Sequence, residues 1–246
     1  SVKIIICCMG WTSHLDAILK PNYDIELNIK SHIHLMNSLN NSSNLKVIYL
    51  GSRSQYGHQL NDIILEDDKL DPKDIQGVSK TATELYYKVY SKLFGFNICS
   101  VRLPACFGKN QKTEGRDVGL IGQLIIKSLK NEKIEIFGNN RKRNIIYVDD
   151  LVEIVYRLSQ KNIKGFKPVN IKGSSIVINK LARKIVQITK KGKIVNKNIP
   201  CNIKSIDIGN SEMSEKELVN LIGPISYTGL GKSLVDTINY FKEKIK

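Results

Sequence analysis

The chain has 246 residues, of which 41% are hydrophobic and 25% charged, and a formal net charge of +15 at pH 7. That length buries a sizeable core, as one domain or as a domain with a small lobe, and the apolar fraction excludes disorder for the body of the chain. The positive charge is spread through a Lys-, Asn- and Ile-rich composition, and the basic cluster NNRKRN (residues 139–144) is short. Nucleic acid is therefore not an expected partner, whereas an anionic small substrate such as a nucleoside diphosphate is.

The first segment, VKIIICC (residues 2–8), reads as a fully buried strand, short, continuous and rich in Ile. It begins at once, as a cut through a domain would. Residues 24–39, DIELNIKSHIHLMNSL, have helical spacing, with Ile25, Ile29, Ile33 and Met36 on one stripe. LKVIYLGS is a second buried strand closed by Gly51. A long helix is expected from Ser79 to Phe94, with Leu85, Val89 and Leu93 inward and Gly95 as its stop. FNICSVRL is a third strand, ended by Pro104. A helix over 119–131 and a strand at KIEIFG follow, the latter stopping at the turn Gly138-Asn139-Asn140. IIYVDDLVEIVYRLSQ runs from strand into helix, with Asp149 and Asp150 placed to cap the helix start. PVNI is a further strand, and VINKLARKIVQIT and LGKSLVDTINYFKEKI are amphipathic helices. This alternation predicts an α/β fold with a parallel sheet covered on both faces.

The five cysteines, Cys7, Cys8, Cys99, Cys106 and Cys201, form no CxxC pair and no clustered ligand set. No metal site is expected, and buried free thiols in a reducing compartment, the cytoplasm, are. No run of eighteen apolar residues and no secretory signal is present in these 246 residues. In an open parallel sheet the ligand sits outside the carboxyl ends of the strands. The informative residues are then Met9-Gly10-Trp11, Gly51-Ser52-Arg53 and Pro104-Ala105-Cys106.

Three fragments stand in register: YLGSRSQYG, QGVSK at the head of the next helix, and VRLPACFGKNQ. With RNIIYVDDLVEIV downstream, the chain resembles the extended short-chain dehydrogenase/reductase superfamily, nucleotide-sugar epimerases and dehydratases in particular. The resemblance covers nearly the whole chain. It implies a Rossmann-like NAD-binding portion over residues 1–108 and a mostly substrate-binding α/β lobe over 109–246, with segments around 144–172 returning to the sheet. It implies NAD or NADP as cofactor and hydride and proton transfer on the sugar of a nucleoside diphosphate sugar, in surface-polysaccharide or related biosynthesis. In such enzymes a Ser or Thr, a Tyr and a Lys act together. Lys80 matches the Lys that holds the nicotinamide ribose, Ser52 matches the hydroxyl residue, and Gln76 stands where the Tyr is expected. By position, Gly10, Trp11 and Pro104 lie beside the cofactor. Ala105 takes a place often filled by a substrate-binding Asn, and Arg143 aligns with an Arg that reaches the nucleotide diphosphate. Tyr147 and Asp149 resemble packing and capping residues, and His14 a polar helix-start residue. Relatives often form homodimers through the helix after Lys80; the stripe Leu85, Val89 and Leu93 suits that interface or a core face equally.

Two departures stand out. No strand, G-x-x-G-x-x-G turn and helix occurs in residues 1–80, so the Gly-rich phosphate loop is absent. SVKIIICC resembles the fourth strand of the family fold, the first three are missing, and a complementary N-terminal segment is an expected partner. Gln76, for its part, does not titrate near neutral pH. Some relatives lack the Tyr, including a branch with GTRxQYG and a DVNGxNK-type stretch, to which GSRSQYG and DIQGVSK correspond. Two readings therefore stand, an epimerase or dehydratase homologue and a non-catalytic homologue or fragment that binds a nucleotide or a partner protein.

Overall fold

The computed structural model describes residues 2–39, 45–115, 118–138 and 140–245. Its first elements are β1 (Ile4–Cys7), α1 (His14–Leu19), α2 (Pro21–Ile25), a π-helical turn at Glu26–Lys30, α3 (Ser31–Ser38) and β2 (Lys46–Leu50). A 3-10 turn at Arg53–Tyr56, β3 (Ile63–Ile64), α4 (Ile75–Phe94), β4 (Asn97–Arg102) and β5 (Ala105–Phe107) follow. Then come α5 (Gly119–Leu129), β6 (Lys133–Phe137), β7 (Lys142–Tyr147), α6 (Val148–Ser159), β8 (Phe166–Asn170) and β9 (Ser174–Val177). The last are α7 (Ile178–Thr189), β10 (Lys193–Lys197), α8 (Cys201–Ser205), β11 (Glu212–Met213), α9 (Lys216–Ile222) and α10 (Leu230–Lys244).

The central sheet has the order β1-β2-β4-β8, every pair parallel. Its two faces carry separate cores. Val47, Tyr49 and Ile98 pack with Met36 and Tyr87 on one side, and Ile48, Val101 and Val169 pack with α6 and α9 on the other. This is the parallel α/β architecture the alternation predicts. β5, β7 and β9 form a second sheet, parallel between β5 and β7 and antiparallel between β7 and β9. A third core joins α5, α7 and α10 around β6. Of the segments around 144–172, β8 joins the central sheet and β7 does not.

Several local expectations fail for identifiable reasons. β1 is not fully buried: it pairs only with β2 among the described residues, and Ile4 and Ile6 on one face are exposed. The helical segment over 24–39 buries Asp24, Asn28, His32 and Met36 rather than the Ile25, Ile29, Ile33 stripe. The buried set repeats every four residues, and its polar members have partners. Asn28 bonds the Trp11 backbone, and His32 Nδ1 lies 2.8 Å from Tyr87 Oη. Burial, with Lys80 nearby, pushes His32 down to about 4, so its ring is neutral inside.

In α4 the predicted inner stripe is outside: Leu85, Val89 and Leu93 are all more than half exposed. The buried face is Lys80, Thr83, Glu84, Tyr87 and Ser91. That face is polar because its bonds reach distant strands, and a satisfied polar group is not excluded from a core. The helix begins earlier than expected, at Ile75, with Asp74 as cap, and ends at Gly95 in the left-handed region (φ +72). Asp149 and Asp150 do lie in the first turn of α6, but neither side chain caps it. Asp150 accepts from Thr228 N and Oγ1, and Asp149 pairs with Lys109. Cys7 and Cys99 are buried as expected, whereas Cys8, Cys106 and Cys201 are exposed. In the expected turn at 138–140, Asn139 lies outside the described residues.

Candidate functional site

The strand ends of the central sheet meet at a cavity of about 490 Å³. After β1 the chain turns at Gly10, whose φ of +137 is open to glycine. A Cβ there would lie 2.6 Å from Asn28 Oδ1 and 3.0 Å from Lys80 Nζ, so the turn also needs the missing side chain. Asn28 fixes this turn: Trp11 N donates to its Oδ1 (3.0 Å), and its Nδ2 donates to Trp11 O (3.0 Å) and Asp24 Oδ1 (2.7 Å). Lys80, on the second turn of α4, is 5% exposed. Its Nζ donates to Leu50 O (3.2 Å) and lies 5.3 Å from the Tyr49 ring centre. Burial lowers its pKa to about 8, against the opposing pull of Asp24, Cys7 and Cys8.

After β2, Ser52 caps the 3-10 turn and Gln55 closes the reciprocal bond, Ser52 N donating to Gln55 Oε1 (2.7 Å). Ser54 Oγ lies 2.8 Å from Ser52 Oγ and donates to Gln76 Oε1 (3.0 Å). Ser52, Ser54 and Gln76 thus form a hydroxyl–hydroxyl–amide chain along the cavity wall. Gly77 permits the approach, since a Cβ there would lie 2.9 Å from Ser54 O. Behind the wall, Gln55 Nε2 donates to Glu84 Oε2 (2.9 Å), which also accepts from Ser100 Oγ (2.6 Å) and Arg102 Nε (3.0 Å). Arg102 Nη2 lies 2.5 Å from Glu84 Oε1. Burial acts to raise Glu84, but Arg102, Ser100 and Gln55 bring it below the ordinary carboxylate range. One buried ion pair therefore ties the Ser52 loop, α4 and β4 together.

At the head of α4, Asp74 Oδ1 accepts from Gly77 N (2.7 Å), and its Oδ2 lies 3.0 Å from His14 Nδ1. Across the cavity stand Arg53, Arg141 and Arg143. Arg53 Nη1 donates to Gly57 O (2.9 Å) and its Nη2 to Ile208 O (2.9 Å), clamping the segment after α8 to the Ser52 loop. Arg143 Nη2 lies 3.1 Å from Asp207 Oδ2, and its Nη1 donates to Lys142 O (2.7 Å) and Gly209 O (3.2 Å). Arg141 Nε is 2.6 Å from the same carboxylate oxygen, close as an ion pair but not aligned as a hydrogen bond. Burial acts to raise Asp207, yet Arg143, the Gly209 N–H and Arg141 hold it below its ordinary value.

Of the sequence-predicted residues, Gly10, Ser52, Gln76, Lys80, Pro104, Ala105 and Arg143 all line this cavity. Trp11 does not: its ring packs edge-on against Tyr23, with centroids 4.9 Å apart. Arg53, singled out by its place at a strand end but given no role, also lines it; sequence reading missed Ser54, Asp74 and Arg141, and passed over His14 as a helix-start residue. For Ser54 the signal was present, a second hydroxyl in GSRSQYG. For Asp74 it was the Asp preceding a helix. Among the described residues no group of three or more His, Cys, Asp and Glu side chains is placed to hold a metal ion. No helix of the described residues is long and apolar enough to cross a membrane.

A parallel sheet with a glycine turn, a buried lysine and a hydroxyl loop around a cavity at its strand ends is a Rossmann-type α/β fold, in which ligands sit at the carboxyl ends of the strands. The comparisons narrow the class. Residues 1–171 match the NAD dependent epimerase/dehydratase family, and the chain belongs to it. It is 27% identical over 154 residues to a putative UDP-glucose 4-epimerase of Methanocaldococcus jannaschii, covering 62% of this chain and 50% of that protein. It is 28% identical over 181 residues to a dTDP-4-dehydro-6-deoxyglucose reductase of Escherichia coli, covering 71% and 56%. The chain thus spans about half the length of the curated relatives it matches. A UDP-glucose 4-epimerase of Thermotoga maritima, solved with UDP-glucose, shares its fold, with TM-score 0.89 and 21% identity over 99% of this chain and 78% of that one.

Proposed function

We propose that the chain is the larger part of an NAD- or NADP-dependent nucleotide-sugar epimerase or dehydratase, an isomerase or lyase of polysaccharide-sugar supply. The observation that carries this reading is the convergence of Ser52, Gln76, Lys80 and Arg143 on one cavity at the strand ends. The nicotinamide-ribose end of the cofactor fits this cavity. Lys80 Nζ has three donors, one of which reaches Leu50 O, and the Gly10 turn leaves a cradle beside it. The cofactor, when bound, accepts and returns a hydride. Lys80 holds its ribose, and Pro104 and Gly10 pass beside it. Ser52 bonds the sugar hydroxyl or keto oxygen. Gln76, with Oε1 held by Ser54, offers its amide N–H to the sugar and orients it. Ala105 leaves room at the sugar, and Arg143 turns its fork from Asp207 to the diphosphate.

The exposed Leu85, Val89 and Leu93 stripe on α4 supports a homodimer through that helix. The open edge of β1, with Ile4 and Ile6 exposed, supports docking of a complementary N-terminal segment there. Free cysteines suit the cytoplasm. Calorimetry of the chain with UDP-, dTDP- and CDP-sugars tests the reading. One of them is expected to bind, and Arg143→Ala to weaken it about tenfold or more. Binding of none, or equal binding by the variant, refutes it.

A further inference from the structure

Sugar oxidation and reduction need a group that takes and returns a proton, and Gln76 does not titrate. Cys106, another cavity residue, is a thiol, whose ordinary pKa of about 8.5 leaves it mostly protonated at neutral pH. Lys80 is committed to the ribose, and the cavity arginines keep their charge. His14 has a different setting. It opens α1 on the cavity wall, its side chain is 44% exposed, and the Asp74 carboxylate beside it is 3% exposed.

Asp74 divides its two oxygens. Oδ1 takes the Gly77 N–H at the head of the helix that carries Gln76 and Lys80, and Oδ2 faces His14 Nδ1 at 3.0 Å. A carboxylate only accepts, so a hydrogen bond here places a ring proton on Nδ1, and the tautomer that has its one proton there presents Nε2 as an acceptor. This is an oriented base, built from residues 60 positions apart, in the same cavity as Ser52 and Gln76.

Resting on the nucleotide-sugar reading above, we propose that His14, oriented by Asp74, is the proton-transfer residue of this site, in place of the phenol that Gln76 displaces. His14 Nε2 takes the hydroxyl proton of the sugar while the C–H electron pair leaves that carbon as hydride to the nicotinamide, and a carbonyl forms. On reduction the hydride adds back to the carbonyl carbon and the imidazolium returns the proton to oxygen. Asp74 is the positioning residue: it fixes the tautomer and stabilises the imidazolium, and it touches no substrate.

The test uses the 246-residue chain. Calorimetry with UDP-, dTDP- and CDP-glucose selects the tightest binder; if none binds, the nucleotide-sugar reading falls and this proposal with it. Nitrogen–proton correlation spectra, assigned with His14→Gln, are expected to show the neutral His14 ring protonated on Nδ1. Asp74→Asn, which keeps the helix cap, is expected to move that proton to Nε2. An Nε2-protonated ring in the unaltered chain overturns the proposal with sugar binding intact. Diethyl pyrocarbonate labelling of His14, read by mass spectrometry, should slow about tenfold at a nucleotide-sugar concentration of about nine Kd, and not with the free nucleoside diphosphate. His34 and His58, both exposed, are the internal controls. Equal labelling with and without the bound sugar overturns the assignment. With NAD supplied, His14→Gln is expected to lower turnover about a hundredfold while sugar affinity is retained, and unchanged turnover refutes a catalytic role.

Discussion

Glu84→Gln tests the buried ion pair that holds the site together. The substitution keeps the side-chain shape and removes the charge facing Arg102, whose side chain is 5% exposed. Arg102 retains bonds to Tyr56 Oη (2.5 Å) and Glu66 O (2.7 Å), but neither is an anion. Breaking a buried pair by removing one partner costs about 3–5 kcal/mol. An unfolding entropy of about 2.1 cal/mol/K per residue gives about 0.5 kcal/mol/K for 246 residues, so the midpoint should fall by about 6–10 °C. The pH dependence has a definite sign. Glu84 is held below its ordinary value in the folded chain, so its contribution is complete above the unfolded carboxylate range and is lost as pH falls through the lower folded value. The native chain should therefore lose more stability on acidification than the variant. Thermal unfolding by circular dichroism, at neutral and acidic pH, reads both effects. A double variant, Glu84→Met with Arg102→Leu, should cost less than the two single changes added, because it leaves no lone charge. A midpoint within about 2 °C of native for Glu84→Gln would refute the coupling, since that is under about 1 kcal/mol.

Lys80 should contribute a slope of the same sign at alkaline pH: with its folded pKa near 8, the unfolded chain binds more protons from there up to the ordinary lysine range, so stability rises with pH. Urea unfolding at about pH 8 and pH 10 should show a gain of roughly 2 kcal/mol that Lys80→Met abolishes. The 246-residue chain should bind NAD more weakly than about 100 µM, because it has no Gly-rich phosphate loop, and low-micromolar binding by calorimetry would refute this. Gln76→Tyr should leave turnover unchanged or lower and reduce stability by about 1–3 kcal/mol from overpacking; a large rate gain would show that the native site is impaired.

The strands were legible where burial and local periodicity agree. β2 is an apolar run closed by Gly51, β4 is short and β-prone with Pro104 as its stop, and α7 and α10 carry one apolar stripe each. In α4 two stripes compete at helical spacing, and the apolar one misled. The buried polar stripe is stabilised by Arg102 and Gln55, 18 and 29 residues from Glu84, and no local window contains those partners. The site divides in the same way. Ser52, Gln76 and Lys80 lie in short motifs and fall in register, whereas the His14–Asp74 contact spans 60 residues and the Arg143–Asp207 contact 64. β3, β5, β9 and β11, each of two to four residues, have too few positions to show a period.

The surroundings of Gln76 bear on whether the amide is a relic of a tyrosine. A phenol lost from a site still shaped for it leaves a void and an unmatched polar partner, and both are destabilising. Gln76 is 3% exposed, and its Oε1 accepts from Ser54 Oγ at 3.0 Å. Ser54 in turn contacts the Ser52 hydroxyl, so the amide is one end of a chain whose other end is Ser52. Ser52 is held by Gln55, Gln55 by Glu84, and Glu84 by Arg102. A tyrosine at position 76 would break the first link and leave Ser54 without that acceptor. The wall is organised around an amide, and an amide moves no protons. The proposed proton transfer then calls for another group lining the same cavity, and that cavity offers an imidazole already held by a buried carboxylate at the head of the same helix.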